Sequence, residues 1–394
     1  MRTTAVRERV GALLLIVPLL AFLAVFFLWP LWTMVKASVV DDTVSRVLPR
    51  TSVAIVSWDG QGSPPVQVQQ ALVEDLRQAD DQQALGETVR RLNSAVSGFR
   101  TLLTRTANAV RDGKDASVDL ASLDRRWNEP RFWLAIRDAV PPYTDRNLLA
   151  AVDLKRDANG TIVSEEPGAS ANRLIMFRTF LVAAIVTFAC AAIGLPYAML
   201  AAAMTGWKRN VLLLAVLVPL WTSLLVRTTA WFVLLQNEGL INGALQAVGL
   251  IESPLPLIFN RVGVVIAMTH VLLPFMVLPI YSILLSVPRN LMQAAASMGA
   301  GPLRAFWRVL LPLSLPGLLS GSLLVFMVAI GYYITPALVG GANDQMISSV
   351  IAFYATGTAN WGLAGALGLI LLLVTMILYF IYGRLSKSPQ LVGA

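Results

Sequence analysis

Six long apolar runs dominate this chain, at residues 11–35, 174–203, 211–235, 262–287, 313–339 and roughly 361–382. A helix needs about 20 apolar residues to cross the hydrocarbon core of a bilayer, and each run is near or above that length. Lipid offers no partners to backbone amides, so such runs cross as helices. The expected fold is therefore all-α integral membrane, with about six transmembrane helices. Pro196, Pro219, Pro274 and Pro316 lie within or near the runs. Membrane helices tolerate such breaks where neighbours satisfy the freed backbone groups.

The charges divide the chain further. Residues 41–172 carry 16 Lys and Arg against 19 Asp and Glu, while the remainder carries 15 against 4. A net charge of +8 would suit nucleic acid if it formed a patch, but here it lies at the ends of apolar runs. That is the pattern of basic cytoplasmic loops, and it argues against nucleic acid as a partner. The expected organisation is an N-terminal tail and first transmembrane helix (1–40), a helical extracytoplasmic insertion (41–172), a five-helix core (173–386) and a short tail (387–394).

The first run follows Arg2, Arg7 and Arg9. A signal peptide has an apolar core of roughly 7–15 residues and a small-residue cleavage site. This run is longer, and Lys36-Ala37-Ser38 is a poor cleavage site, so a retained anchor helix is expected. Six crossings from a cytoplasmic N-terminus place Lys208, Arg209, Arg289, Arg304, Arg308, Arg384 and Lys387 inside. Glu238, Glu252 and Asp344 then fall outside, with Arg261 as the exception. Both termini are expected to be cytoplasmic.

Within 41–172, Leu85, Val89, Leu92, Val96, Phe99 and Leu103 recur at spacings of four and three, one stripe on a helix. Pro64-Pro65, Pro141-Pro142 and Asp157-Ala158-Asn159-Gly160 read as boundaries or turns. The insertion is expected either to pack over the membrane body or to meet a partner.

Between the fourth and fifth runs lies a loop, 289–312, predicted as a short helix, a glycine break and a second short amphipathic helix. Ala294, Ala295 and Ala296 favour helix with little bulk, and Gly299 permits a turn that a Cβ would penalise. Phe306, Val309 and Leu310 can face an apolar surface while Arg304 and Arg308 face water. Such a helix-turn-helix suits docking into a groove on another protein; an amphipathic connector lying on the lipid is the alternative.

This stretch resembles the EAA loop of binding-protein-dependent ABC importer permeases, of the MetI-like transmembrane fold. Ala294, Ala295, Gly299, Leu311 and Pro312 match that motif, and Gln293 stands where the family usually has Glu. The segments 219–232, 272–279 and 333–341 resemble the spermidine/putrescine (PotB-like) branch, and the similarity spans 174–385. The resemblance implies a permease subunit of an ATP-driven, binding-protein-dependent importer of a small polar solute, a polyamine or a related amine or amino-acid-like compound. It implies a bacterial inner-membrane protein that is not itself an enzyme. Its partners would be an ATP-binding subunit dimer, a second homologous permease and an extracytoplasmic solute-binding protein, all within membrane lipid. Coupling to the ATPase would fall on Gln293, Ala294, Ala295, Gly299, Ala300, Phe306, Leu311 and Pro312. The 41–172 segment is longer than the branch leads one to expect.

No Gly-x-x-x-x-Gly-Lys-Ser/Thr loop occurs, since Gly113-Lys114 is followed by Asp115. ATP and Mg are expected on the partner subunit, with no cofactor on this chain. His270 is the single histidine and Cys190 the single cysteine. Neither metal site nor disulfide is expected, and His270 is predicted to be buried and hydrogen-bonded.

Candidate path residues are Trp221, Arg227, Trp231, Tyr332, Tyr333 and Thr335. An intramembrane arginine is a functional hypothesis by default; snorkelling or pairing with Glu238 is the alternative for Arg227. Aromatic faces attract ammonium groups, though Trp and Tyr also sit at membrane interfaces for their own sake. Two rival readings remain at this stage. A stand-alone secondary transporter or channel is disfavoured by the missing inverted repeat and intramembrane acid. A membrane-anchored interaction protein would act through its external insertion.

Overall fold

A computed structural model describes residues 16–112, 119–157, 160–166, 168, 170–288, 290–358 and 360–385. The sequence expectations at Arg2, Arg7, Arg9, residues 11–15, Gly113-Lys114-Asp115, Ala158-Asn159, Arg289 and the 387–394 tail lie outside these. The chain divides into two compact units. One holds residues up to Leu149 together with Trp361–Ala366, and the other holds Ala150–Asn360 and the residues from Leu367 onward.

The first unit contains the apolar helix α1 (Ile16–Val39), exposed along its membrane-length window. It passes through a π turn at Ala24–Leu28, where the Trp29 N–H reaches Ala24 O. Pro30 follows directly, so its missing N–H falls where the helical register has already shifted. The small helices α2 (Thr43–Val47), α3 (Pro49–Ala54), α4 (Val66–Gln78), α5 (Gln82–Ala95), α6 (Phe99–Asp112) and α7 (Pro130–Arg137) gather round one core. Leu48, Ile55, Leu72, Leu76, Leu92, Phe99, Phe132 and Trp133 are fully buried there. Asp75, also buried, accepts the Thr51 N–H at 2.8 Å and the Thr51 hydroxyl at 2.7 Å, supplying the first turn of α3 with an acceptor.

The stripe Leu85–Leu103 is not one helix. Helix α5 ends at Ala95, Gly98 adopts φ +105°, and α6 begins at Phe99. Leu85, Val89, Leu92, Phe99 and Leu103 are nonetheless buried together. A break of a few residues between two helices preserves the apolar spacing that one long helix would show.

In the second unit a hairpin pairs β1 (Leu154–Arg156) with β2 (Ile162–Ser164), antiparallel, with Lys155 opposite Val163. The described residues between 150 and 172 thus belong to the same unit as the membrane helices that follow them. These are α8 (Asn172–Ala203), α9 (Gly206–Trp221), α10 (Leu224–Leu234), α11 (Arg261–Ser286), α12 (Asn290–Ser297), α13 (Pro302–Gly331), α14 (Ile334–Val339), α15 (Ile347–Gly357) and α16 (Trp361–Leu385), whose first turns belong to the other unit. Among the described residues, five helices are long and apolar enough to cross a membrane, and a sixth span exists if the bent pair α9–α10 counts as one.

Helices α8, α11 and α13 form the centre of this unit. Val186, Met268, Leu272, Met276, Val277, Val325 and Ala329 are buried between them. Glycines set the separation. A Cβ on Gly194 would stand 2.9 Å from Met276 Cγ, and one on Gly317 2.8 Å from the carbonyl of Pro279. Small residues at such crossings let helix backbones approach in the absence of a hydrophobic drive.

Two expectations about the runs need correction. The run 211–235 is not a straight span: α9 and α10 meet at 102°. Pro219 removes a helical N–H one turn from the bend, and Thr222 and Ser223 leave the helical register. The run 313–339 is also interrupted. Helix α13 ends at Gly331, Tyr332 is extended, and α14 is a separate short helix.

Candidate functional site

The loop between α11 and α13 is built as a turn leading into a long lever. Helix α12 is closed by Gly299 at φ +81°, with the Met298 N–H on Ala294 O at 3.0 Å and the Ala300 N–H on Ala295 O at 3.0 Å. Only glycine takes that φ without strain. Ala295 is buried, while Gln293, Ala294 and Gly299 are exposed and Ala300 is half-buried. Gln293 lies within α12 rather than at its start. A Cβ on Gly299 would meet nothing within 4 Å. Met298, Leu303 and Trp307 are 82, 77 and 63% exposed, an apolar set on one loop.

The second short helix of the expected loop is not a separate element. Residues Pro302–Gly331 form one 30-residue helix. A π turn at Phe306–Leu310 precedes Pro312, with the Leu311 N–H on Phe306 O, and absorbs the donor that Pro312 lacks. Phe306 is half-buried and edge-on to Trp307 at 5.4 Å. Leu311 is half-buried and Pro312 exposed, both inside the continuous helix. The loop thus runs without a break into a membrane-length helix.

The second group of sequence candidates meets where two spans are interrupted. Trp231 on α10 donates its Nε1–H to His270 Nδ1 on α11 at 3.1 Å, with the rings edge-on at 5.3 Å. Acceptance at Nδ1 puts the imidazole proton on Nε2. Thr228 and Thr335, both fully buried, share a hydroxyl hydrogen bond at 3.1 Å that ties α10 to α14. Arg227 Nη2 donates to Thr222 O at 2.9 Å, bonding a carbonyl freed by the bend. Its charge acts on both His270 and Tyr332.

Arg227, Trp231, Tyr332 and Thr335 therefore lie round one place. Trp221 and Tyr333 are exposed, at 76 and 45%. Arg227 does not pair with Glu238, and it makes no ion pair among the described residues. Sequence reasoning passed over His270 as a buried structural residue. It is hydrogen-bonded but exposed on this chain. A histidine in an apolar span is the signal that would have found it. Among the described residues no cluster of His, Cys, Asp and Glu could hold a metal ion.

Residues 170–389 match the family described as binding-protein-dependent transport system inner membrane component. The chain belongs to this family. It is a permease subunit of a binding-protein-dependent ABC importer, a multi-pass inner-membrane transport component rather than an enzyme. It is 32% identical over 213 residues to the spermidine/putrescine transport system permease protein PotB of Escherichia coli, covering 54% of this chain and 78% of that one. It is 32% identical over 226 residues to the inner membrane ABC transporter permease protein YdcU of the same organism, covering 54% and 71%. The molybdenum transport permease ModB of Mycobacterium bovis is 29% identical over 208 residues, covering 52% of this chain and 76% of that one. Among solved structures, a bacterial alginate ABC transporter aligns at a TM-score of 0.48 with 14% identity, covering 58% of this permease and 82% of that chain. The methionine transporter MetNI aligns at 0.44 with 18% identity, covering 57% and 98%.

Proposed function

We propose that this permease forms one half of the membrane pore of an ATP-driven importer of a small amine, a polyamine or an amino-acid-like relative. The observation that carries the coupling part of this reading is the exposed α12–Gly299 turn joined without a break to α13. An ATP-binding subunit that grips the turn would move the whole helix. Mg-ATP would be bound and hydrolysed on a separate subunit dimer. A second, homologous permease would complete the pore, and an extracytoplasmic binding protein would deliver the solute.

The amine assignment is supported by the two relatives at 32% identity, one of them a spermidine/putrescine permease. The site chemistry fits it in part. Each aromatic face presented to an ammonium group contributes about 0.5–2 kcal/mol, and Trp231 and Tyr332 both lie beside the bend. The basic residues Lys208, Arg209, Arg304, Arg308 and Arg384 support an orientation with the turn and both termini in the cytoplasm. The α2–α7 helices would then lie outside.

The test is to purify the tagged chain in mild detergent, identify its stoichiometric partners, and assay ATPase activity and uptake of labelled putrescine and spermidine in proteoliposomes. Recovery of an ATP-binding subunit and a second permease, with ATP-dependent uptake of either amine, is expected. A lone chain that transports without ATP would overturn this reading.

A further inference from the structure

Resting on the amine-importer reading above, we propose that the junction of the two interrupted spans is a subsite for an anionic oxygen group, and that the transported amine accordingly carries a carboxylate. Two breaks meet there. Helices α9 and α10 join at 102°, and α13 gives way to α14 at the extended Tyr332. The Thr228–Thr335 hydroxyl bond at 3.1 Å ties α10 to α14. Irregular backbone at membrane depth is tolerated where it is buried in protein or lines a cavity, and interrupted spans are a common place for a transporter to hold its solute.

The side-chain groups left open at this junction are donors. His270 accepts from Trp231 at Nδ1, at 3.1 Å, so its proton sits on Nε2. The imidazole is exposed, and its Nε2–H has no protein partner among the described residues. Arg227 is half-buried and spends Nη2 on Thr222 O at 2.9 Å, which leaves Nη1 for a further acceptor. Its guanidinium is near enough for the charge to act on both His270 and Tyr332. The hydroxyls of Thr228 and Thr335 are committed to each other and to Leu224 O. Neither Arg227 nor His270 is sealed inside the chain, as a subsite for a passing solute requires.

Charge decides which solute suits these donors. No membrane-length helix, and neither half of the bent pair, contains an Asp or a Glu. Asp344, on the loop after α14, is paired with Arg261 at 3.3 Å. A diamine would bring two ammonium groups to a junction that already holds a cation and offers no counter-charge. A carboxylate takes the guanidinium and the imidazole N–H together, through charge-assisted hydrogen bonds. Trp231 and Tyr332 lie beside the same place and offer aromatic faces to the ammonium end.

The experiment uses the complete complex with its binding protein in proteoliposomes and three labelled solutes. Putrescine carries no carboxylate, ornithine is the putrescine skeleton with one carboxylate added, and 4-aminobutyrate has a carboxylate in place of one amine end. ATP-driven uptake of at least one carboxylated amine is expected. Arg227→Gln should shift the ratio of that uptake to putrescine uptake by at least about tenfold towards putrescine, the worth of a hydrogen bond to a charged group. Arg227→Glu should shift it further, Arg227→Lys should restore much of the preference, and His270→Gln, which keeps an N–H donor, should lose less than His270→Ala. Both uptakes are measured on one preparation, so a lower yield of folded protein cancels in the ratio.

A complex that imports putrescine but neither carboxylated amine would overturn the proposal, as would an Arg227→Glu variant whose ratio matches the original. A complex that imports none of the three solutes with ATP would instead defeat the proposed function, and the subsite with it.

Discussion

Asp153 caps helix α8 from outside it: its carboxylate accepts the backbone N–H of Arg173 at 2.9 Å. The Asn172 N–H, also at 2.9 Å, and the Ser170 hydroxyl complete the set. Arg173 Nε stands 3.5 Å from the same carboxylate. The acid comes from the hairpin segment, at φ +55°, and occupies the helix N-terminus where negative charge is favoured. Burial pushes this carboxyl up. The hydrogen bonds from Ser170, Arg173 and Asn172 and the charge of Arg173 outweigh burial and hold it below the ordinary range. Asp153→Ala is expected to destabilise the membrane unit by about 1–3 kcal/mol. Asp153→Asn, which tolerates positive φ, should lose less. Thermal unfolding of the detergent-solubilised complex measures both, and an Ala variant that melts with the original would refute the capping role.

A second carboxylate makes the α5–α6 turn sensitive to acid. Asp124 takes Arg126 in a fork, with Nη2 at 2.7 Å and Nε at 3.0 Å. Arg126 then donates to Gly98 O at 3.1 Å and Thr101 Oγ1 at 3.0 Å, clamping the glycine turn. The hydrogen bond from Arg126, ahead of the opposing effect of burial, lowers Asp124 to about 2. A depressed carboxylate stabilises the fold above its unfolded value and ceases to as pH falls through the folded one. The helical unit should therefore lose stability between about pH 4 and pH 2. Asp124→Asn should be less stable at neutral pH and flatter across that window. Fluorescence of the buried Trp127 and Trp133 beside the clamp follows it, and equal acid slopes for the two proteins would exclude Asp124 as the source.

The contacts of α11 with α13 and with α8 predict an order of sensitivity among glycines. A Cβ on Gly317 meets backbone, Pro279 O at 2.8 Å and Ile280 Cα at 2.9 Å. A Cβ on Gly194 meets the side chain of Met276, which can rotate. Gly317→Ala should cost about 1–3 kcal/mol by overpacking, and Gly194→Ala clearly less. Melting temperatures in detergent decide it. A larger loss at Gly194 would mean that helix α11 yields more readily than the methionine.

The membrane spans were legible because lipid imposes a length and a polarity that few soluble segments share. Local breaks were not. The 211–235 run is long and apolar enough for a straight helix, and only packing decides that it turns by 102° after Pro219. The stripe from Leu85 to Leu103 named the right core residues and the wrong element, because the break at Gly98 divides the helix without disturbing the apolar period. Trp231 and His270 are 39 residues apart in the chain, and their hydrogen bond has no local signature. In the coupling loop Gly299 was legible as a turn from its residue type. The continuity of α13 through Pro312 was not, since a π turn hides the proline from the usual rule.

Gly299 offers the sharpest separation of turn geometry from docking. Its φ of +81° penalises a β-branched side chain, while Asn and Asp enter this region more readily. Among the described residues, none beyond its immediate neighbours lies within 4 Å of the Cβ a substitution would add. A steric clash at that Cβ must then come from outside the chain. Gly299→Val should damage the turn itself and lower the yield of folded permease. Gly299→Asn should leave both folding and the turn close to intact. Gly299→Asp has the same backbone tolerance as Asn but adds a charge, and it should reduce ATP-driven uptake by more than about tenfold while membrane insertion and yield stay normal. Uptake and ATPase rates of the three variants, normalised to the amount of inserted protein, provide the comparison. If Asp and Asn behave alike and both transport normally, the turn is not seated against another subunit, and the lever formed by α12 and α13 has no hand upon it.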